Sequence, residues 1–239
     1  MTIEILFPEH ANLFGDMSNM RYLQACLPEA TFIRTPLTEV PYFVNHDVDL
    51  LYMGPMTERI QQQVILALMP YADRLQAMID GGTPMLFTGN AMEVLGHNIQ
   101  LENGNSIHGL GILPLNAKQD MLHRYNGLVL GRFAPVQSDI VGFKTQFTSA
   151  TGDNADCAFI KTERGIGLNK QSHYEGFFKG NMIATYLIGP LLILNPALTR
   201  WLLDTMGASD VPLAFEEAVN DAYARRLAEF CDPQVDVEY

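Results

Sequence analysis

The stretch Met85-Leu86-Phe87-Thr88-Gly89-Asn90-Ala91-Met92-Glu93-Val94-Leu95-Gly96 decides the fold. Four apolar or β-prone residues form a strand, Gly89 occupies a tight turn, and Asn90 to Leu95 read as a helix. A strand that turns sharply into a helix places its apex residue over a crevice, with helix N–H groups nearby. Gly89 tolerates a strained turn there but offers no nucleophile.

Working outward, the same alternation repeats. Thr2 to Phe7, Ala30 to Arg34 and Val48 to Met53 read as strands, and Met17 to Cys26 as a helix with apolar positions at Met20, Leu23 and Cys26. Thr57 caps a long helix that Pro70 kinks or divides and Gly81-Gly82 ends. Alternating strands and helices imply a parallel sheet covered on both faces. The expected fold is α/β, a flavodoxin-like three-layer α/β/α arrangement in one domain spanning residues 1–239. Ligands of such sheets bind beyond the carboxyl ends of the strands. Two turns lie there, Gly54-Pro55-Met56 and Gly89-Asn90-Ala91.

The second half changes character. Gly127 to Leu130, Ile140 to Phe143, Ala158 to Ile160 and Met182 to Leu187 are short β-rich runs among many glycines, so antiparallel additions are expected. Helices follow at Pro196 to Met206 and Phe215 to Phe230, the first with Asn195 as N-cap and proline at its first position.

Composition bounds the function. The formal net charge is −12, from 27 acidic against 15 basic residues, which argues against nucleic acid or an anionic membrane as partner. Cys26, Cys157 and Cys231 are odd in number, widely spaced and without CxxC, so neither a disulfide framework nor a zinc site is expected. His10, His46, His97, His108 and His123 show no ligand spacing. The opening residues lack the features of a signal peptide, and no apolar run reaches the ~18 residues of a membrane span. A reduced, cytoplasmic protein is expected.

The segment around Gly89 resembles the nucleophile elbow of class I (triad-type) glutamine amidotransferases, in the branch containing cobyric acid synthase. Its pattern is similar to that of the glutaminase subunits of lipid II isoglutaminyl synthases, which work beside a Mur-ligase-like partner. The family elbow runs cysteine, two glycines, an aromatic, glutamine, a hydrophobic residue, leucine, glycine. Here Gly89 stands at the cysteine, Asn90 and Ala91 at the glycines, Met92 at the aromatic and Glu93 at the glutamine, while Leu95 and Gly96 match. Asn12 to Asn19 resembles the family's Asn-Leu-Tyr-x-Asp-x-x-Asn, and Met53 to Gln61 its glycine-rich turn. Gly109 to Leu113 follows the family's Gly-Leu-Gly segment, and Ala184 to Pro190 its Gly-Thr-Tyr-Leu-His-Gly-Pro. Arg124 sits near a family active-site arginine.

The departures share one direction. Glutamine hydrolysis needs a thiolate, a histidine to activate it and N–H donors for the oxyanion. Gly89 removes the thiolate, Ile188 the general base, and Pro55 an N–H from the turn thought to supply an oxyanion donor. The family's Gly-Phe-Glu-x-His-x-Gly becomes Gly142 to Thr148, without its acid, histidine and final glycine.

The resemblance therefore implies a non-catalytic amidotransferase-like protein. It would partner a Mur-ligase-like subunit in cell-wall or cobyrinate-type amidation, form a homo-oligomer, or bind a small ligand. No cofactor or metal is implied. Gly54, Pro55, Thr88, Asn90, Glu93, Arg124 and Gln146 are expected to line the crevice, which Asn90 and Glu93 make more polar and anionic. The alternatives are altered amidase or hydrolase chemistry in that crevice, or an active glutaminase with its nucleophile elsewhere. Thr88 and Cys157 are poor substitutes. Ser172-His173-Tyr174-Glu175 holds nucleophile, base and acid in a row, but strand neighbours face opposite sides, so it reads as surface or partner contact.

Overall fold

The structure is a computed structural model that describes residues 1–238. Its first half alternates as expected: β1 (Thr2–Leu6), α1 (Ser18–Cys26), β2 (Thr31–Thr35), β3 (Leu50–Met53), α2 (Glu58–Leu68), α3 (Ala72–Asp80), β4 (Met85–Thr88) and α4 (Ala91–Val94). Thr57 caps α2, its hydroxyl accepting from the Ile60 N–H at 3.4 Å. Pro70 lies in a single 3-10 turn that separates α2 from α3. The helix after Gly89 is one turn, shorter than the sequence suggests.

The second half adds β5 (Asn98–Gln100), β6 (Ser106–His108), β7 (Leu115–Gln119), β8 (Tyr125–Phe133), β9 (Ser138–Gln146), β10 (Thr148–Gly152), β11 (Ile160–Arg164), β12 (Tyr174–Glu175), β13 (Phe177–Lys179) and β14 (Met182–Thr185). It closes with α5 (Pro196–Thr205) and α6 (Glu216–Cys231). The strand expected at Ala158 to Ile160 begins only at Ile160, where pairing with β12 starts.

A six-stranded sheet in the order β13-β14-β4-β3-β1-β2 forms the middle layer. All its pairings are parallel except that of β13 with β14. Strands buried on both faces need apolar residues at every position, and β3 and β4 are buried throughout. Leu51, Met53, Met85 and Phe87 pack with Val64, Ile65 and Leu75 on the side of α2 and α3. Ile3, Ile5, Tyr52 and Leu86 pack with Leu23, Leu198 and Leu202 on the side of α1 and α5. No helix among the described residues is long and apolar enough to cross a membrane.

Two further four-stranded sheets, β10-β7-β5-β6 and β12-β11-β8-β9, carry the antiparallel additions. The β8–β9 hairpin returns to the main sheet through an antiparallel bridge between Phe143 and Ile188, with the Ile188 N–H donating to the Phe143 carbonyl at 3.0 Å. Asn195 precedes α5, but its side chain does not cap the helix. It accepts from the Val141 N–H and donates to the Val141 and Leu191 carbonyls, fixing β9 against α5.

Candidate functional site

The order β14-β4-β3 sets the site. Ile188 follows β14, Gly89 follows β4 and Pro55 follows β3, so three neighbouring parallel strands deliver these residues side by side. Gly89 has φ +59°, the left-handed conformation that glycine adopts without a steric cost. A β-carbon built on it would stand 2.6 Å from Pro55 Cβ and 3.3 Å from Ile188 Cγ2. The positions that the resemblance assigns to nucleophile, base and oxyanion turn therefore converge. What fills them is a glycine, a proline and an isoleucine that is 4% exposed. None of these side chains carries an ionisable group.

The turn donors are also committed. The Met56 N–H donates to Asn90 Oδ1 at 2.9 Å, and Asn90 Nδ2 donates to the Met56 carbonyl at 2.8 Å. This two-bond clamp occupies the N–H of the residue after Pro55. Gln61 Nε2 reinforces it, donating to the Asn90 carbonyl and to Glu93 Oε2, each at 2.8 Å.

Glu93 does not line the crevice as expected; it is 1% exposed and lies behind it. Its carboxylate accepts from the Thr148 hydroxyl, the Tyr186 hydroxyl and Gln61. Burial raises its pKa, against the lowering effect of those donors. The expected anionic crevice is thus corrected: the charge faces inward, into a hydrogen-bonded shell. Thr88 and Gly54 are buried too and line no part of the crevice. The Thr88 hydroxyl donates to Asp16 Oδ2 at 2.5 Å.

Asp16 is a residue whose role the sequence does not reveal. It is fully buried and accepts from Tyr52 on β3, Thr88 on β4 and the Gly189 N–H after β14. One carboxylate thereby ties together the ends of the three strands that carry Pro55, Gly89 and Ile188. Burial raises its pKa. The only sequence signal is its place in the Asn12 to Asn19 motif.

Lys144, where the family has an acid, is completely buried. It donates to Glu175 Oε2 at 2.6 Å and to the Gly167 carbonyl at 2.5 Å. Glu175 Oε1 accepts from the Thr185 hydroxyl and the Tyr186 N–H, both at 2.7 Å. Desolvation lowers the Lys144 pKa, and attraction to Glu175 opposes it. Of the Ser172 to Glu175 cluster, expected at the surface, only Glu175 departs from that reading. His173 is exposed while Glu175 is buried, and the Ser172 hydroxyl bonds the Tyr174 backbone.

The remaining crevice holds about 160 Å³ and is lined in part by Phe14, Pro55, Glu58, Gly89, Asn90 and Arg124. The Arg124 guanidinium carbon stands 4.3 Å above the Phe147 ring. Gln146 and Phe147 complete that wall. Phe14, 48% exposed, holds φ +60°. Among the described residues no group of histidine, cysteine or carboxylate side chains is arranged to hold a metal ion.

Residues 2–195 match the CobB/CobQ-like glutamine amidotransferase domain family. The chain is 24% identical over 230 residues to subunit GatD of the glutamine-hydrolyzing lipid II isoglutaminyl synthase of Staphylococcus aureus strain N315. That alignment covers 93% of this chain and 91% of GatD. Among solved structures, PurLQS from Thermotoga maritima aligns over 95% of this chain and 98% of its own, with a TM-score of 0.53 at 10% identity. A glutamine amidotransferase from Thermotoga maritima aligns over 96% of this chain and 97% of its own, with a TM-score of 0.51 at 10% identity. These structural likenesses establish the fold. The chain belongs to the CobB/CobQ-like glutamine amidotransferase domain family.

Proposed function

We propose that this chain is a non-catalytic member of its family that acts as the partner of a Mur-ligase-like protein in cell-wall precursor amidation. The observation that carries the proposal is the packing of Gly89, Pro55 and Ile188 at the point where nucleophile, oxyanion donor and base would meet. Neither glycine nor isoleucine can transfer a proton or attack a carbonyl. Pro55 has no N–H to offer an oxyanion, and the Met56 N–H beside it is held by Asn90. Loss of one nucleophile or base alone costs about 10⁶ in rate. The partner role rests on the likeness to a subunit of a lipid II amidating enzyme.

A second reading, a small-ligand binder, is favoured by Arg124. Its guanidinium is exposed at the crevice, lies over Phe147 and forms no ion pair among the described residues.

Glutamate release from glutamine, measured for the purified chain alone and with the Mur-ligase-like protein added, tests the proposal. Release at the background rate in both mixtures is the expected result. Enzyme-dependent hydrolysis in either one would sink it. Co-elution on size-exclusion chromatography tests the partnership separately, and its absence would remove that half alone.

A further inference from the structure

A cleft of about 350 Å³ opens between α6 and the β8–β9 hairpin, apart from the crevice. Leu128 and Phe143 are direct partners across the β8–β9 ladder, so their side chains leave the same face of the sheet. Val141, two residues from Phe143, shares that face. Leu128, Val141 and Phe230 of α6 form one apolar cluster, with Phe143 and Leu194 packed against it. The segment Ile188 to Leu191 supplies a further wall. Every lining residue is apolar or glycine except Arg226. The backbone of the wall is largely committed. The Ile188 N–H donates to the Phe143 carbonyl at 3.0 Å, and the Leu194 N–H to the Pro190 carbonyl at 3.3 Å. Asn195 serves the Val141 N–H and the Val141 and Leu191 carbonyls. An incoming molecule therefore meets apolar surface and a single cation. Clefts of this size and character take small ligands, and filling one supplies contacts that its walls lack.

The Arg226 guanidinium carbon lies 5.8 Å from the centroid of the Phe230 ring, and its Nη1 donates to Glu229 Oε2 at 2.9 Å. The two side chains of that pair are 42% and 48% exposed, and a solvated pair three residues apart on a helix contributes little. Glu229 and Asp221 line the neighbouring hollow along α6 but no part of the cleft. Arg226 can therefore exchange Glu229 for an incoming anion without bringing an acid into the cleft. We infer that this cleft binds a small apolar monocarboxylate, its hydrocarbon body among Leu128, Phe143, Leu194 and Phe230 and its carboxylate on Arg226. A neutral isostere keeps the apolar contacts but forfeits the charge-assisted hydrogen bonds. An ammonium would face the guanidinium with no lining acid to hold it. A second charged group on the body would lose its water to apolar walls.

The test titrates methyl- and ¹⁵N-labelled full-length protein with 3-phenylpropionate, 3-phenylpropanamide and 3-phenylpropylammonium. The carboxylate is expected to shift the methyl signals of Leu128, Leu191 and Leu194, while the amide signals of Met56 and Gly89 in the crevice stay in place. The amide and the ammonium should bind about fivefold or more weakly. Arg226→Gln, a change at a half-exposed helix position, should weaken the carboxylate about fivefold or more and leave the amide unaffected. Glu229→Gln removes the internal competitor and should tighten the carboxylate. The inference fails if the carboxylate shifts no leucine methyl, or if it moves only the crevice signals beside Arg124. Equal binding of carboxylate and amide, or full affinity in Arg226→Gln, would also overturn it.

Discussion

Position 89 penalises any side chain in two separate ways, through its backbone and through its neighbours. The backbone has φ +59°, and a residue with a β-carbon pays roughly 1–2 kcal/mol there. The β-carbon would also stand 2.6 Å from Pro55 Cβ, an overlap whose relief costs about 1–3 kcal/mol. Gly89→Ala should therefore destabilise the fold by about 2–5 kcal/mol in urea unfolding. In a Pro55→Gly background most of the steric part disappears, leaving the 3.3 Å approach to Ile188 Cγ2, and the cost should fall toward about 1–2 kcal/mol. Equal costs in both backgrounds would show that Pro55 does not crowd position 89. The same geometry means that a cysteine could return here only if Pro55 were also replaced. Gly89, Ile188 and Pro55 were legible in the sequence, because short motifs mark them as substitutions. The Asn90–Met56 clamp was not, because it joins residues 34 apart through the adjacency of two strands.

Among the elements, the buried pair between β9 and β12 is the most exacting. Lys144 and Glu175 are both fully buried, and each is the other's only ion-pair partner among the described residues. Lys144→Met leaves a buried carboxylate without its cation, and a loss of about 3–5 kcal/mol is expected. Adding Glu175→Gln removes the stranded charge, so the double variant should be more stable than Lys144→Met alone. Thermal or urea unfolding of both single variants and the double variant checks this; strictly additive losses would mean the pair is not coupled. The elements of the first half could be read from apolar runs and turn residues, since β1, β3 and β4 are buried on both faces and only the edge strand β2 is partly exposed. β12 could not, because two residues carry no periodicity and the burial of Glu175 is decided by β9, far away in the chain.

At the scale of the whole molecule, the pH dependence of stability follows from carboxylates held inside the fold. Burial raises the pKa of both Asp16 and Glu93 above the ordinary carboxylate range. With a folded pKa above the unfolded one, each group favours the folded state most while protonated. That contribution is fully present below the unfolded pKa and is lost as pH rises through the folded value. The exposed acids of this chain, which carries a net charge of −12, add a general repulsion that also grows with pH. A single isosteric change separates the two effects. Glu93→Gln removes one buried titration and leaves nearly all the surface charge in place. A glutamine can still accept from Gln61, while the hydroxyls of Thr148 and Tyr186 can turn to accept from its amide. Urea unfolding at intervals from pH 4 to pH 8 should therefore show wild-type stability falling more steeply than that of the variant. Between the unfolded and folded pKa of Glu93 the slopes should differ by up to about 1.4 kcal/mol per pH unit, the value for one proton. The variant should also be the more stable of the two at neutral pH. Parallel curves would mean that position 93 binds the same number of protons in both states, and its burial would then have no consequence for folding.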